Sequence, residues 1–160
     1  MSSPIPVPGE KHATATVFVF SDEHPTRLLL MHHKKFDRWM PPGGHQELLE
    51  NPYEAAIREV HEETGVDVSA AFSSPIELDA QSRILPLPRF VLEESIAAYG
   101  DKPAHFHIDS VYAVRVPHQS PTHQQAEAHD AGWFTKEELA TLPLFDNVRT
   151  MALDLFSEFS

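Results

Sequence analysis

Cysteine is absent from all 160 residues. Disulfide cross-links and thiolate metal sites are thereby excluded, and a reducing cytoplasm is the expected compartment. Basic side chains are scarce: 12 Lys and Arg stand against 24 Asp and Glu, a formal net charge of −12. That surplus disfavours sequence-independent binding to nucleic acid or to an anionic membrane surface. It also repels an anionic small molecule unless a bound cation reverses the local field. No run approaches the roughly 18 apolar residues of a membrane span. The opening MSSPIPVPGEKH has neither a basic nor an apolar region, so it is not read as a secretion signal. What is present, 41% hydrophobic and 22% charged residues, suits one globular domain over 1–160, with residues 1–11 a flexible lead-in. Nothing in the composition bears on the oligomeric state.

The stretch HATATVFVF, residues 12–20, has the β-branched and aromatic composition of a strand. RLLLMHH, Arg27 to His33, is a second strand whose apolar run suggests cover on both faces. The best-signalled helix starts after Asn51, a good N-cap, with Pro52 at the first helical position and Glu54 completing a capping box. Gly65 supplies its stop. Tyr53, Ala56, Ile57, Val60 and Thr64 recur at helical spacing and form its buried face. Residues 75–85 and 89–96 read as strands split by Pro86 and Pro88, although VLEESIAAY is equally compatible with a helix. FHIDSVYAVRV, residues 106–116, is a strand, and the polar residues 118–130 form a surface loop. Trp133 and Phe134 then precede TKEELATL, a short helix capped by Thr135 with Glu138 at the capping-box position. Asp146 caps a closing helix through residue 156.

Within the first helix, Glu59, Glu62 and Glu63 share an arc of about 100°. Each like-charge neighbour costs about 0.2–0.5 kcal/mol, and Arg58, within reach of Glu62 and Glu54, offsets only part of it. A solvated, charge-rich helix face is the common use of such a pattern. A divalent cation would instead turn the repulsion into coordination, since hard oxygen ligands suit magnesium or manganese.

The surrounding residues decide between these uses. Gly44, Glu50, Arg58, Glu59, Val60, Glu62, Glu63, Gly65 and Val66 fill every specified position of G-x5-E-x7-R-E-U-x-E-E-x-G-U, with U aliphatic. At seven fixed positions a chance match is on the order of one in 10⁹. On these residues the chain resembles the Nudix hydrolases. The resemblance implies an α/β fold, an α/β/α sandwich around a mixed sheet, with the box forming a loop-helix-loop. It also implies metal-dependent cleavage of a pyrophosphate bond in a nucleoside diphosphate linked to another moiety, a small-molecule substrate. Metal ions neutralise the diphosphate, activate water and hold the leaving oxygen.

By the same resemblance Glu59, Glu62 and Glu63 are the principal ligands of Mg²⁺ or Mn²⁺, and the backbone carbonyl of Gly43 is a further one. Arg58 orients the glutamates, and Glu50 braces loop and helix. The general base is either Glu62, within the box, or Glu127, in the loop where some members supply it. Outside the box, HFHID places His105, His107 and Asp109 on one side of a strand. That face either walls the substrate cleft, through hydrogen bonds or a metal, or is merely hydrated. The residues that specify NADH, coenzyme A or ADP-ribose substrates in the family are not matched. The alternatives are a diphosphate isomerase, which would use a cysteine this chain lacks, and a ligand-binding or regulatory module that has lost a box glutamate, whereas none is lost here.

Overall fold

Alternation along β1 (Lys11–Ser21) organises the molecule. Its Ala15, Val17 and Val19 point to one side and Phe18 and Phe20 to the other, and all five are fully buried. A strand buried on both faces must lie inside a sheet that is covered twice. The computed structural model, which describes residues 7–122 and 128–160, shows that arrangement.

The other elements, in chain order, are β2 (Arg27–His33), β3 (Arg38–Met40), β4 (Gly43–His45), α1 (Pro52–Thr64), β5 (Ile76–Glu77), β6 (Arg83–Ile84), β7 (Phe90–Ile96), β8 (His105–Val116), β9 (Ala128–Thr135) and α2 (Asp146–Phe159). The main sheet runs β3-β2-β1-β8-β7, with β4 paired to β1 and β9 to β2. β1 and β8 are parallel from Lys11↔Phe106 to Ser21↔Val116, and the remaining pairs are antiparallel, so the sheet is mixed. Ala55, Ala56 and Val60 of α1 pack on Ala15, Val17, Val19, Tyr112 and Val114. On the other face Val148, Ala152, Leu155 and Phe156 of α2 pack on Phe18, Phe20, Leu28, Leu30 and Val111. Each fully buried Val, Leu or Phe contributes about 1.5–3 kcal/mol. The result is the expected α/β/α sandwich. Among the described residues no helix is long and apolar enough to cross a membrane.

The caps of α1 form as expected. Glu54 N–H donates to the Asn51 side chain at 2.8 Å, and Asn51 N–H donates to the Glu54 carboxylate at 3.1 Å. Gly65, at φ 72°, ends the helix with its N–H on His61 O at 2.8 Å. A side chain there would meet Thr122 Oγ1, whose residue also donates its N–H to Thr64 O at 2.6 Å.

Four expectations need correction. Residues 75–85 form only the small hairpin of β5 and β6, because the Asp79 carboxylate accepts from Gln81 N–H, Ser82 N–H and Ser82 Oγ and tightens the turn. TKEELATL makes one 3₁₀ turn, Glu138–Thr141, rather than an α-helix. Its Thr135 and Glu138 do exchange capping bonds, at 3.3 and 3.2 Å, but Pro143 disfavours helical backbone at Leu142. The polar segment 118–130 stops being a loop at Ala128, where β9 begins, so Trp133 and Phe134 are strand residues paired to Leu29 and Leu28. Asp146 is the first residue of α2 and not its cap; Phe145 holds that position without a side-chain bond. Residues 89–96 are strand, with the alternating burial that excludes the helical option.

Gly65→Ala combines a left-handed backbone with a collision, whereas Asn51→Ala removes only a cap. Urea denaturation should show a loss of about 0.5–2 kcal/mol for Asn51→Ala and a larger one for Gly65→Ala. The reverse order would contradict this account of the helix ends.

Candidate active site

Helix α1 does not present its three glutamates on one open arc. Glu63 is 3% exposed, on the sheet side of the helix, and Gly43 N–H donates to its Oε1 at 3.0 Å. Glu59 is also sheltered, its side chain 13% exposed. It lies against Gly44, where an added Cβ would stand 2.5 Å from Glu59 Oε1. Glu62 alone is open, with a 44% exposed side chain. The cause is β4: Gly44 leaves room for the Glu59 carboxylate where a side chain would sit, while Gly43, whose side chain would meet Ala15 O and Thr16 of β1, adds a backbone donor to Glu63.

Arg58 ties the site together. Nε and Nη2 hold Glu50 in a two-pronged pair at 2.7 and 2.9 Å. Nη1 donates to Glu59 Oε1 at 2.8 Å and to Glu62 Oε2 at 3.1 Å, and Nη2 also donates to His45 O at 3.0 Å. All five guanidinium N–H groups are thereby used. Glu54, expected within its reach, is taken by the helix cap instead. These partners keep Arg58 protonated well beyond the ordinary range and hold Glu50 below the usual carboxylate range. Glu59 is pushed up, chiefly by burial, against the opposing hydrogen bonds of Glu63 and Arg58. Among the described residues no group of three or more His, Asp or Glu side chains is arranged to hold an ion in this conformation. Arg58 supplies the positive charge between Glu59 and Glu62.

The second expected face, His105, His107 and Asp109 on β8, is brought together and is not simply hydrated. His105 is 8% exposed and Asp109 5%. Asp109 accepts from Thr14 Oγ1 at 3.0 Å and Thr16 Oγ1 at 2.8 Å, both on the neighbouring β1. It also pairs with Glu94 of β7, so that burial and the Asp109 charge push Glu94 up to about 7. The Asp109 carboxyl is itself raised by burial. The pair titrates as a unit. Two further histidines, His12 and His45, join His105 and His107; their ring centroids lie 5.3 Å (His12 to His105) and 4.9 Å (His45 to His107) apart. Sequence reasoning missed Thr14, Thr16, Glu94, His12 and His45. The available signal was HATAT on β1 read against HFHID on β8, which requires their parallel register.

Glu127, the loop candidate for the base, lies outside the described residues. The segment before it is fastened to the end of α1. Gln119 exchanges bonds with Asp67 N–H and O at 2.9 and 3.0 Å, and Trp133 Nε1 donates to Gln119 O at 2.9 Å.

The raised Glu94 carboxyl favours the folded state while protonated. Its stabilising contribution is present below its ordinary value of 4.5 and is lost as pH rises through about 7. Glu94→Gln keeps a donor for Asp109 and cannot ionise. In chelator-treated protein its melting temperature should therefore fall less than that of the wild type between about pH 5 and about pH 8. Equal slopes would contradict the raised Glu94 carboxyl.

Residues 10–155 match the model of the NUDIX domain. A NUDIX-family hydrolase from Clostridium perfringens has a similar structure, with TM-score 0.71 and 24% identity over 93% of this chain and 98% of that one. The E. coli dihydroneopterin triphosphate pyrophosphohydrolase is similar at TM-score 0.65 and 19% identity, over 95% of this chain and 99% of that one. In sequence, human diphosphoinositol polyphosphate phosphohydrolase 3-alpha is 43% identical over 53 residues, which cover 32% of this chain and 32% of that protein. The match thus spans about a third of that relative's length. Box, fold and domain match coincide, and the chain belongs to the Nudix family.

Proposed function

We propose that the protein is a divalent-cation-dependent pyrophosphohydrolase. Its substrate class is a nucleoside diphosphate linked to a second moiety. The observation that carries this reading is the pair of sheltered carboxylates, Glu59 and Glu63, beneath the Gly43-Gly44 strand. Burying like charges side by side is unfavourable unless a cation or proton compensates them. The donor set is all oxygen, which suits Mg²⁺ or Mn²⁺. Two of the proteins named above, the diphosphoinositol polyphosphate phosphohydrolase and the dihydroneopterin triphosphate pyrophosphohydrolase, are by their names hydrolases of phosphorylated compounds, which agrees with this reading.

Glu59, Glu62 and Glu63 would hold the ion, with Gly43 contributing from the backbone. When bound, the ion supplies charge neutralisation of the diphosphate and lowers the pKa of water. The remaining work falls to the chain itself. Arg58, with every donor engaged, fixes the carboxylates of Glu50, Glu59 and Glu62 relative to one another, which limits the geometries they can adopt around an ion. Glu50 anchors Arg58 and, by accepting from Glu47 N–H at 3.0 Å, the loop that precedes α1. Glu62, the exposed glutamate, or Glu127 takes the proton from the attacking water. We assign Asp109 and its partner Glu94 to the substrate face, where a carboxyl donor and a carboxylate acceptor side by side can read a polar group of the second moiety. His105 and His107 line the same face.

A panel of nucleoside diphosphate derivatives and dinucleotides, assayed with magnesium for phosphate products, tests the activity. Hydrolysis should stop in excess chelator; undiminished turnover there would overturn the reading. Glu63→Gln should lower the rate by about 10²-fold or more, while Glu54→Gln on the same helix should change it by no more than about twofold. If Glu127 is the base, Glu127→Gln should lower kcat sharply and leave Mg²⁺ affinity unchanged; a wild-type rate for that variant leaves Glu62 in the role.

A further inference from the structure

Four imidazoles from three strands meet on the face of the sheet that also carries Phe18 and Phe20. His12 and His107 are register partners across β1 and β8, and His45 of β4 sits opposite Thr14, whose small side chain lets the ring reach toward His107. Centroid separations are 5.6 Å for His12 to His45, 5.3 Å for His12 to His105, 5.1 Å for His105 to His107, 4.9 Å for His45 to His107 and 6.5 Å for His12 to His107. His105 and His107 border the face assigned to the substrate, but neither metal binding by the box nor proton transfer from water uses the four rings as a group.

We propose that His12, His45, His105 and His107 form a second cation site, distinct from the box, that takes a borderline divalent ion of the zinc type. Four imidazoles around one tetrahedral ion, with metal–nitrogen bonds of about 2.0–2.1 Å, place their ligating nitrogens about 3.3–3.4 Å apart and their ring centres about 5 Å apart. Here His105 Nε2 and His107 Nε2 are 3.3 Å apart, one edge of such a tetrahedron. His105 Nδ1 lies 3.0 Å from Pro103 O. A carbonyl only accepts, so Nδ1 carries the proton and Nε2 presents its lone pair, the arrangement that outer partners impose on metal-binding histidines. His12 Nε2 is held by the Glu10 carboxylate at 3.0 Å, which directs its Nδ1 elsewhere and brings a negative charge to the rim.

The chemistry favours this class of ion. Imidazole suits zinc, nickel or cobalt, whereas magnesium prefers the oxygen ligands of the box. A metal requires neutral rings. In this conformation, among the described residues, no three donors converge. The 3.3 Å contact is here a hydrogen bond donated by His107 Nε2 to His105 Nε2; an ion would displace that proton, and His12 and His45 would have to turn toward it to complete the set.

β4 separates the two sites. Gly44 faces Glu59 on one side, while His45 faces the imidazoles on the other and its carbonyl accepts from Arg58. The inference does not depend on the hydrolase reading, because zinc can bind whether or not the box is catalytic.

The test uses the untagged full chain, stripped with chelator, dialysed, and held in excess magnesium so that the box carboxylates are engaged. Zinc chloride titrated by calorimetry should bind at one ion per chain. His107→Gln and His105→Gln should each weaken binding by at least about tenfold, since even outer-shell changes cost that much. Glu63→Gln should change it by less than about twofold. No zinc uptake in excess magnesium would overturn the proposal, as would uptake that survives His107→Gln or disappears in Glu63→Gln. Should the histidine variants fail to fold, cobalt(II) added to the unaltered chain decides. Intense visible bands of tetrahedral nitrogen coordination support the site, and the pale spectrum of octahedral oxygen coordination contradicts it.

Discussion

The backbone of Gly43 and Gly44 lies across α1 with no side chains between, and the site depends on that contact. It shelters Glu59 and Glu63 from water and donates one N–H to Glu63. Sheltered carboxylates destabilise a fold unless they are compensated. Here the compensation is Arg58 on one side and, in the proposed working state, a cation on the other. The guanidinium fork is suited to the first task because it reaches Glu50, Glu59, Glu62 and His45 O simultaneously, which an ammonium group cannot.

The rest of the fold holds that contact in register. β4 reaches α1 only because it pairs with β1 at Thr16↔Gly43 and Thr14↔His45. β1 in turn is fixed by eleven residues of parallel pairing with β8 and by cores on both faces. The same pairing delivers the polar end of β1, His12, Thr14 and Thr16, to His107 and Asp109. One strand therefore builds the site's support with its apolar half and the second polar face with its other half.

The sequence made α1 legible because its signals are local: Asn51, Glu54 and Gly65 act within a turn of their own positions. Composition also exposed β1, β2 and β8. The errors arose where neighbours overrode local preference. Thr135 and Glu138 form their capping bonds, yet Pro143 stops the helix, and Asp79 closes a turn where a longer strand was expected. In the site, the box residues were found by pattern, but the burial of Glu63 was not, because a helical wheel carries no information about a strand of glycines laid over it. His12, His45 and Glu94 escaped for a related reason: their partners are remote in sequence and meet only through sheet register.

The central claim is that the Gly-Gly strand shapes the carboxylates for a cation. Gly44→Ala tests it most directly, because the nearest atoms to the added methyl are those of the Glu59 carboxylate and not backbone, so the strand can keep its pairing. Manganese binding, followed by electron paramagnetic resonance on protein whose far-UV circular dichroism matches the wild type, is the decisive readout. The account predicts that Gly44→Ala keeps its fold and loses at least about tenfold in manganese affinity. Wild-type manganese affinity in the folded variant would contradict it.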